Sequence, residues 1–282
     1  MLAASDALPV RRWDARLDLG FALSGGRTAL VRRSHAGPLQ VQRPFYPEGR
    51  GPCHVYVLHP PGGLVGGDRL SIDVTADPGA EALLTTPAAT KFYRTAGAKA
   101  EQRVALRVAQ GATLEWLPQE TIVFGAANGE SSVNVDVASG GRFLGWEICC
   151  FGRPASGDHF ASGRFVQRLE LRVDGRPVAV ERAEFDGARD VMRQRVALAG
   201  CAVTGSFVAV TDRTELAERI RAVLPVPVGT ELFSVTSRRH VLVCRYLGDS
   251  VERARKGFVL AWSVARESLF GRASQPPRIW AT

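Results

Sequence analysis

The residues of this chain that could do chemistry are carboxylates set among apolar neighbours. Glu147 stands between Trp146 and Ile148, Glu120 precedes a short apolar run, and Asp68 follows a glycine-rich stretch. If such a side chain points into the protein, burial of its charge demands an ionic partner or a water-filled cavity. Side chains on a strand alternate between its two faces, so a surface position for each stays an equal alternative.

The histidines and cysteines do not form a familiar metal-binding or catalytic pattern. His54 and His59 are five residues apart, which on a strand puts them on opposite faces. The five cysteines lack CxxC spacing, and neither a GxSxG nor an HExxH motif occurs. An isolated histidine is more often a hydrogen-bonded structural residue than a ligand. We therefore expect no enzyme active site and no tightly bound metal or cofactor.

The glycine-rich segment His59–Asp68 (HPPGGLVGGD) has the composition of a phosphate-binding loop but not its pattern. It lacks the Lys-Ser/Thr pair of a P-loop, and its glycines do not fit GxGxxG. The segment is better interpreted as a tight double turn that presents Asp68.

Charge and hydropathy narrow the class of protein. The 282 residues carry a net charge of +8, and 45% of them are hydrophobic. The arginines are spread along the chain, so a dedicated nucleic-acid groove is less favoured than a general excess of arginine. The first ten residues are too short and too little hydrophobic for a signal sequence, and no apolar run reaches the ~18 residues of a membrane span. We expect a soluble, cytoplasmic protein.

A weak internal repeat is the main evidence for the fold. Turn glycines 79, 111, 140 and 175 are 32, 29 and 35 residues apart, and each follows a segment in which apolar and polar residues alternate. Such alternation is typical of strands with one buried face. The spacing predicts a mainly β protein, a layered or solenoid-like stack of β-strands and hairpins. An ordinary antiparallel sandwich remains the alternative. The alternating segments are Leu70–Val74, Val104–Val108, Val133–Val137 and Leu169–Val173.

Two α-helices are predicted in the C-terminal third. Helical spacing of apolar residues covers Glu215–Leu224, where Pro225 ends the segment. Asp249 and Glu252 form a plausible capping box for a second helix, whose apolar stripe continues to Gly271 and should pack on the sheet.

The chain as a whole, residues 1–282, is predicted to be one domain. Residues 1–13 are expected to be loosely ordered, and residues 272–282 to form an extended tail because of their prolines. Trp280 near the end of this tail could dock a partner or could pin the chain end to the core.

Six phrases, in order along the chain, closely resemble the UreD family, which is called UreH in some bacteria. The likeness extends from about residue 17 to residue 280. The phrases are Gly37–Glu48, Leu58–Asp68, Thr85–Arg94, Leu117–Ile122, Gly152–Gly157 and Pro277–Trp280.

This resemblance implies a non-catalytic accessory role in the maturation of urease. It implies a predominantly β fold with two helices, and a complex with UreF and UreG that acts on urease apoprotein and promotes assembly of its nickel centre. GTP would be bound by UreG, the nickel chaperone UreE would supply the metal, and the assembly could be a dimer of heteromeric complexes. The resemblance predicts neither a nucleic-acid partner nor a membrane partner.

The resemblance also implies an internal path for nickel in transit. Oxygen ligands suit such a path, since clustered histidines or cysteines would trap the ion. Beside the family phrases, the candidate lining residues are Asp68, Thr90, Glu147, Glu181 and, more weakly, Glu120. His59 and Tyr93 could belong to the lining or to a partner surface, and Trp280 to a partner surface.

Two other functions stay open from the residues alone. A basic nucleic-acid-binding β-protein is the main alternative, and it would bind DNA or RNA with a steep salt dependence. An unfamiliar enzyme would need convergent polar residues in a pocket.

Overall fold

Alternation of apolar and polar residues places the strands of this chain in two facing sheets. The computed structural model describes residues 12–281. The strands are β1 (Asp14–Ser24), β2 (Arg27–Ala36), β3 (Gln40–Val41), β4 (Cys53–Leu58), β5 (Arg69–Ala76), β6 (Glu81–Thr85), β7 (Thr90–Phe92), β8 (Ala100–Val108), β9 (Thr113–Trp116), β10 (Thr121–Val123), β11 (Ala127–Val137), β12 (Arg142–Phe151), β13 (Gly163–Val173), β14 (Arg176–Asp186), β15 (Val203–Val210), β16 (Leu232–Arg238) and β17 (Val241–Gly248). The α-helices are α1 (Leu216–Arg221) and α2 (Val251–Phe270), and short 3-10 turns cover Pro154–Ser156, Asp190–Arg193 and Arg278–Ala281.

From β4 to β13 the chain passes repeatedly from one sheet to the other, and each coil stacks on the one before it. The first sheet has the order β14-β13-β11-β8-β5-β1-β2, in which β1, β5, β8, β11 and β13 are parallel. The second sheet has the order β16-β17-β15-β12-β9-β6-β4-β3, with β7 and β10 attached beside β12. Its strands β4, β6, β9 and β12 are parallel. Strands β5, β8 and β11 lie in the first sheet, and the strands that follow them, β6, β9 and β12, lie in the second. These successive coils stack in parallel, so the predicted solenoid-like β architecture is confirmed.

The predicted repeat corresponds to the coils, with one exception. Gly79, Gly111 and Gly140 have φ of +74°, +71° and +72°, and they stack at corners where the chain turns from the first sheet to the second. The N–H of Gly111 donates to the carbonyl of Gly140 at 3.2 Å, which links two of these corners. The fourth unit, at Gly175, differs, since it joins β13 and β14 as an antiparallel hairpin within one sheet. That hairpin ends the stack of coils.

The protein has two cores, one on each side of the second sheet. The first fills the space between the sheets with inward side chains such as Leu17, Val104 and Phe165. The second lies between the second sheet and the helices, where Phe258 and Trp262 of α2 are fully buried. The prediction that the second helix packs its apolar stripe on the sheet is therefore confirmed. Neither helix in residues 12–281 combines the length and hydropathy needed to span a bilayer.

The helix boundaries correct the prediction in two places. The first helix covers Leu216–Arg221 and is shorter than the predicted Glu215–Leu224. After Arg221 the chain continues in a tighter turn, in which the N–H of Val223 donates to the carbonyl of Ile220 at 3.1 Å, and Pro225 then prevents further helix. The second helix is capped by Ser250, whose Oγ accepts from the N–H of Arg253 at 3.2 Å.

The predicted capping box of Asp249 and Glu252 does not form. Asp249 instead accepts from the N–H of Ala202 at 2.9 Å, a contact across 47 residues of sequence. The carboxylate of Asp249 therefore binds a residue distant in the sequence, although its spacing from Glu252 predicted that it would cap the helix.

The chain end corrects the prediction of an extended tail. Residues 272–277 have no regular structure, but the N–H of Trp280 donates to the carbonyl of Pro277 at 3.0 Å in a 3-10 turn. The fixed φ of proline suits such a turn, and its missing N–H is not needed at the start. The Trp280 indole contacts Trp146 and Trp262 at centroid distances of 5.5 and 5.8 Å, so it pins the chain end to the core. Of the segment 1–13 predicted to be loosely ordered, residues 1–11 lie outside the described residues, and the single-domain assignment stays a prediction.

Candidate functional site

A narrow cavity of about 80 Å³, partly open to solvent, lies between the two sheets. Its wall is mixed, because polar side chains alternate there with the apolar core. The polar lining residues are His59, Thr86, Thr90, Gln102, Gln119, Thr121 and Glu147. The apolar ones include Leu39, Val57, Leu70, Ile72, Trp116, Val133 and Ile148. Such a wall offers weak oxygen donors and no fixed cluster of strong ligands.

A row of polar side chains crosses the first sheet beside this cavity. Gln102 on β8, Ser131 on β11 and Gln167 on β13 are register partners, so they stand next to one another on the inner face. Ser131 is buried, and its Oγ has no hydrogen-bond partner among the protein atoms described. Buried hydroxyl groups are rarely left without a partner, so this row is suited to contact with water or with a hydrated ion.

Glu147 on β12 faces this row from the second sheet. Gln167 donates from Nε2 to Glu147 Oε2 at 3.4 Å. Burial raises the pKa of Glu147 to about 7 against the opposing effect of this hydrogen bond, and the charge of Glu181 raises it further. The carboxyl group lies deep in the protein, yet part of the side chain stays accessible because it borders open space. It therefore exchanges its proton near neutral pH.

A second cavity, of about 370 Å³ and also open to solvent, is lined in part by the same carboxylate. Glu147 lines both cavities, so its side chain forms part of the wall of each. In the second cavity, Glu181 on β14 accepts from Ser206 Oγ at 2.7 Å and forms an ion pair with Arg245 on β17. Ser206 is the register partner of both Glu147 and Arg245, which places all three on one face of the second sheet. The two cavities and these side chains are together called the passage below.

The structure brings three of the predicted lining residues into the passage. Thr90 and Glu147 line the first cavity, and Glu147 and Glu181 line the second. Two other candidates are engaged elsewhere and line neither cavity. Asp68 is buried and accepts from the N–H groups of Trp13 and Val65, both at 2.9 Å, which closes the glycine-rich turn.

Glu120 forms an ion pair with Arg255 of α2. This contact joins the loop before β10 to the helix, on the side of the second sheet away from the first cavity. Glu120, which has apolar neighbours in the sequence, is therefore neutralised by an arginine from a distant element.

Of the three remaining candidates, His59 lines the first cavity, whereas Tyr93 and Trp280 are engaged in contacts outside both cavities. His59 lines the first cavity, and burial lowers the pKa of its imidazole although the charge of Asp68 opposes this shift. Its Nε2 is buried without a hydrogen-bond partner among residues 12–281. Tyr93 instead packs on Phe124 at a centroid distance of 4.9 Å, and Trp280 is held by Thr85, whose Oγ1 accepts from the indole N–H at 2.9 Å.

A second polar cluster was missed by the sequence interpretation, and it has a structural role. Arg266 of α2 is fully buried, and its guanidinium contacts Glu115 at 3.1 Å and Glu48 at 2.7 Å. The indole N–H of Trp262 donates to Glu115 at 2.6 Å, and His54 Nε2 lies 2.8 Å from Glu48. These five residues, the Arg266 network, fasten α2 to the second sheet.

The pKa values of the two carboxyl groups in the network shift in opposite directions. Burial raises the pKa of Glu115, although the charge of Arg266 opposes the shift. Burial also acts to raise the pKa of Glu48, but the hydrogen bonds from His54 and Arg266 outweigh it and leave that pKa lowered. The network therefore depends on Arg266 to hold two carboxylates in a buried position.

No group of three His, Cys, Asp or Glu side chains within residues 12–281 is arranged to hold a metal ion. The five cysteines are buried and form no disulfide bond. Among these residues, the side chains therefore offer the passage isolated donors rather than a site of high affinity.

Comparisons with known proteins bear on the whole chain. The family model for the UreD urease accessory protein matches residues 14–281. A urease accessory protein UreD from Dechloromonas aromatica is 44% identical over 275 residues, which cover 96% of this chain and 95% of the relative. A UreD from Chromohalobacter salexigens is 46% identical, with coverage of 96% and 90%, and one from Pseudomonas fluorescens is 42% identical, with coverage of 100% and 99%. The chain belongs to the UreD family of urease accessory proteins.

Proposed function

We propose that this protein is a non-catalytic scaffold for the maturation of urease and that it conducts nickel ions through the passage. The observation that carries the proposal is that Glu147 borders both cavities. An ion that enters beside Thr90 reaches Glu181 by way of this single carboxylate. Family membership supports the accessory role, and the geometry of the cavities supports the path.

The chemistry of the passage suits an ion in transit. Hydroxyl, amide and carboxylate oxygens bind Ni²⁺ more weakly than clustered imidazole or thiolate groups, so an ion can leave as easily as it enters. Because Glu147 titrates near neutral pH, an arriving cation displaces a proton and a departing one allows the proton to return. The carboxyl group can therefore be neutral between ions, which reduces the cost of burying its charge.

The proposed partners follow from membership of the family. UreF and UreG would form a complex with this chain, and the complex would act on urease apoprotein, with UreE as the indirect source of nickel. GTP would be bound by UreG, and the assembly could be a dimer of heteromeric complexes. The nucleic-acid alternative gains little support from the surface, since several arginines on the outer face of the first sheet are paired with carboxylates. Such pairs include Arg103–Glu101 at 2.9 Å and Arg168–Glu130 at 2.7 Å.

The experiment that tests the proposal is activation of urease apoprotein with UreF, UreG, nickel, bicarbonate and GTP. We expect activation to require this chain and to fall at least tenfold with Glu147→Gln, which keeps the shape of the side chain but removes its charge. The matched control is Glu170→Gln on the outer face of β13, where Glu170 pairs with Arg172 at 2.7 Å. Co-purification must show that both variants still assemble.

Two results would contradict the proposal at different levels. Activation that proceeds equally well without the chain would exclude the scaffold. Full activation by Glu147→Gln in an assembled complex would exclude the passage.

A further inference from the structure

The ion pair between Arg245 and Glu181 stands at the outer end of the passage. Arg245 and Glu181 both line the second cavity, the one on β17 and the other on β14, so the pair bridges the second sheet to the first. Glu181 has both oxygens engaged, because Oε1 is bound by Arg245 and Oε2 accepts from Ser206 Oγ at 2.7 Å. Each oxygen of this carboxylate therefore already accepts a hydrogen bond, and a cation that arrives from Glu147 must compete with these donors.

The guanidinium also opposes a cation by its charge. The guanidinium of Arg245 places a positive charge at the outer end of a path lined by acidic and neutral oxygen donors. It cancels the charge of Glu181 and repels a divalent ion in the second cavity. The outer end of the passage is therefore open to solvent, but the positive charge of Arg245 opposes the passage of a cation there.

The pair is placed so that it can separate. The side chain of Arg245 is 49% exposed and that of Glu181 is 27% exposed, and ion pairs exposed to this degree contribute little to stability. Arg266, by contrast, is buried between two carboxylates and cannot leave them without exposing their charges to an apolar environment. The pair of Arg245 and Glu181 can thus separate at a small cost in stability, whereas Arg266 cannot leave its carboxylates without a large one.

We propose that Arg245 is an electrostatic gate at the outer end of the passage, which closes by pairing with Glu181 and opens when its guanidinium swings away. The proposal rests on the proposed function, since a gate presupposes the passage. Docking of a protein surface that presents a carboxylate to Arg245 would supply the opening. The gate would then couple release of the cation to contact with the acceptor.

The test compares the nickel affinity of the full chain with that of its variants, measured with NiCl₂ by competition against a chromogenic chelator at constant ionic strength. We expect Arg245→Gln to increase the affinity for nickel about tenfold. In free energy, this change equals a shift of one pKa unit. Arg245→Lys keeps the charge and should stay close to the wild type. Glu181→Gln added to Arg245→Gln should abolish the gain, because the carboxylate that the gate releases is then absent.

The matched control is Arg182→Gln, which removes the same charge from the same cavity without touching the ion pair. An increase that is equal for Arg182→Gln and Arg245→Gln would overturn the gate, and so would an unchanged affinity in Arg245→Gln. Failure of the gate is distinguishable from failure of the passage, since urease activation by Glu147→Gln tests the passage alone. Loss of activation in Glu147→Gln together with an unchanged nickel affinity in Arg245→Gln would remove the gate and leave the passage standing.

Discussion

Replacement of Arg266 by Met should destabilise the protein by about 3–5 kcal/mol, the range measured when one partner of a buried ion pair is removed. Met approximates the length of the side chain but leaves Glu115, which is 1% exposed, with a single N–H donor from Trp262. Glu48 loses its guanidinium partner in the same step. Since domains of ordinary stability unfold at a cost of about 5–15 kcal/mol, the loss is a large share of the total.

The assay is unfolding in urea, followed by tryptophan fluorescence, because Trp262 belongs to the network itself. With a denaturant dependence of about 3 kcal/mol per molar urea, the midpoint should fall by about 1 M or more. The matched control is Arg255→Met on the same helix, whose ion pair with Glu120 is partly exposed and should contribute at most about 1 kcal/mol.

The pH dependence separates loss of the ion pair from loss of packing. Without Arg266, the already raised pKa of Glu115 should rise further. An acid whose folded pKa is raised stabilises the protein below its unfolded pKa and loses that contribution as pH rises through the folded value. Arg266→Met should therefore recover stability on acidification to about pH 5 relative to the wild type. Equal destabilisation by Arg266→Met and Arg255→Met, or a loss that does not depend on pH, would refute the reasoning.

Three further predictions concern the passage, the chain end and the helix cap. Because burial raises the pKa of Glu147 to about 7 from an ordinary 4.5, it should reduce the stability of the wild type by up to about 3 kcal/mol as pH rises through this interval. Glu147→Gln should lack this decline and be the more stable protein at pH 8, and parallel urea midpoints of the two proteins at pH 5, 6 and 8 would contradict the assignment. Trp280→Ala should lower stability by about 2 kcal/mol through lost contacts with the core, whereas the half-exposed Trp13→Ala should have little effect in the same titration. Ser250→Ala should cost about 1 kcal/mol as a lost helix cap, and amide hydrogen exchange should then increase in the first turn of α2. Unchanged exchange in that turn would argue against Ser250 as the cap.

The architecture could be predicted because residues that are close together in the sequence set the length of each coil. Each coil contains an alternating strand and a turn glycine with positive φ, so the spacing of the glycines measures the length of a coil. The same arithmetic reaches part of the passage, since the glycine spacings of 32 and 29 residues also separate Leu70, Gln102 and Ser131. The fourth unit departs from the pattern because a hairpin and a coil corner begin with the same strand and turn.

The fate of the acidic residues could not be predicted in this way. Glu147, Glu120 and Asp68 all stand among apolar neighbours, yet one borders two cavities, one pairs with a helix and one closes a turn. A buried carboxylate can be satisfied by a cation, by backbone N–H groups or by water, and its local sequence does not distinguish these partners. The same limit explains why Ser250 rather than Asp249 caps α2.

The sequence by itself determined a mainly β fold with two helices and the resemblance to the UreD family, and it favoured a solenoid-like stack over an antiparallel sandwich. Strand alternation, turn glycines and family phrases are properties of residues close together in the sequence. They can therefore be recognised without knowledge of any tertiary contact. Only the tertiary structure decided that Glu147 meets Gln167, that Glu181 is held by Ser206 and Arg245, and that Arg266 joins Glu48 to Glu115. These contacts join residues far apart in the chain, and they arise from the register of strands and from the packing of α2. Electrostatic interactions depend on distance in space, which residue spacing along the chain does not measure.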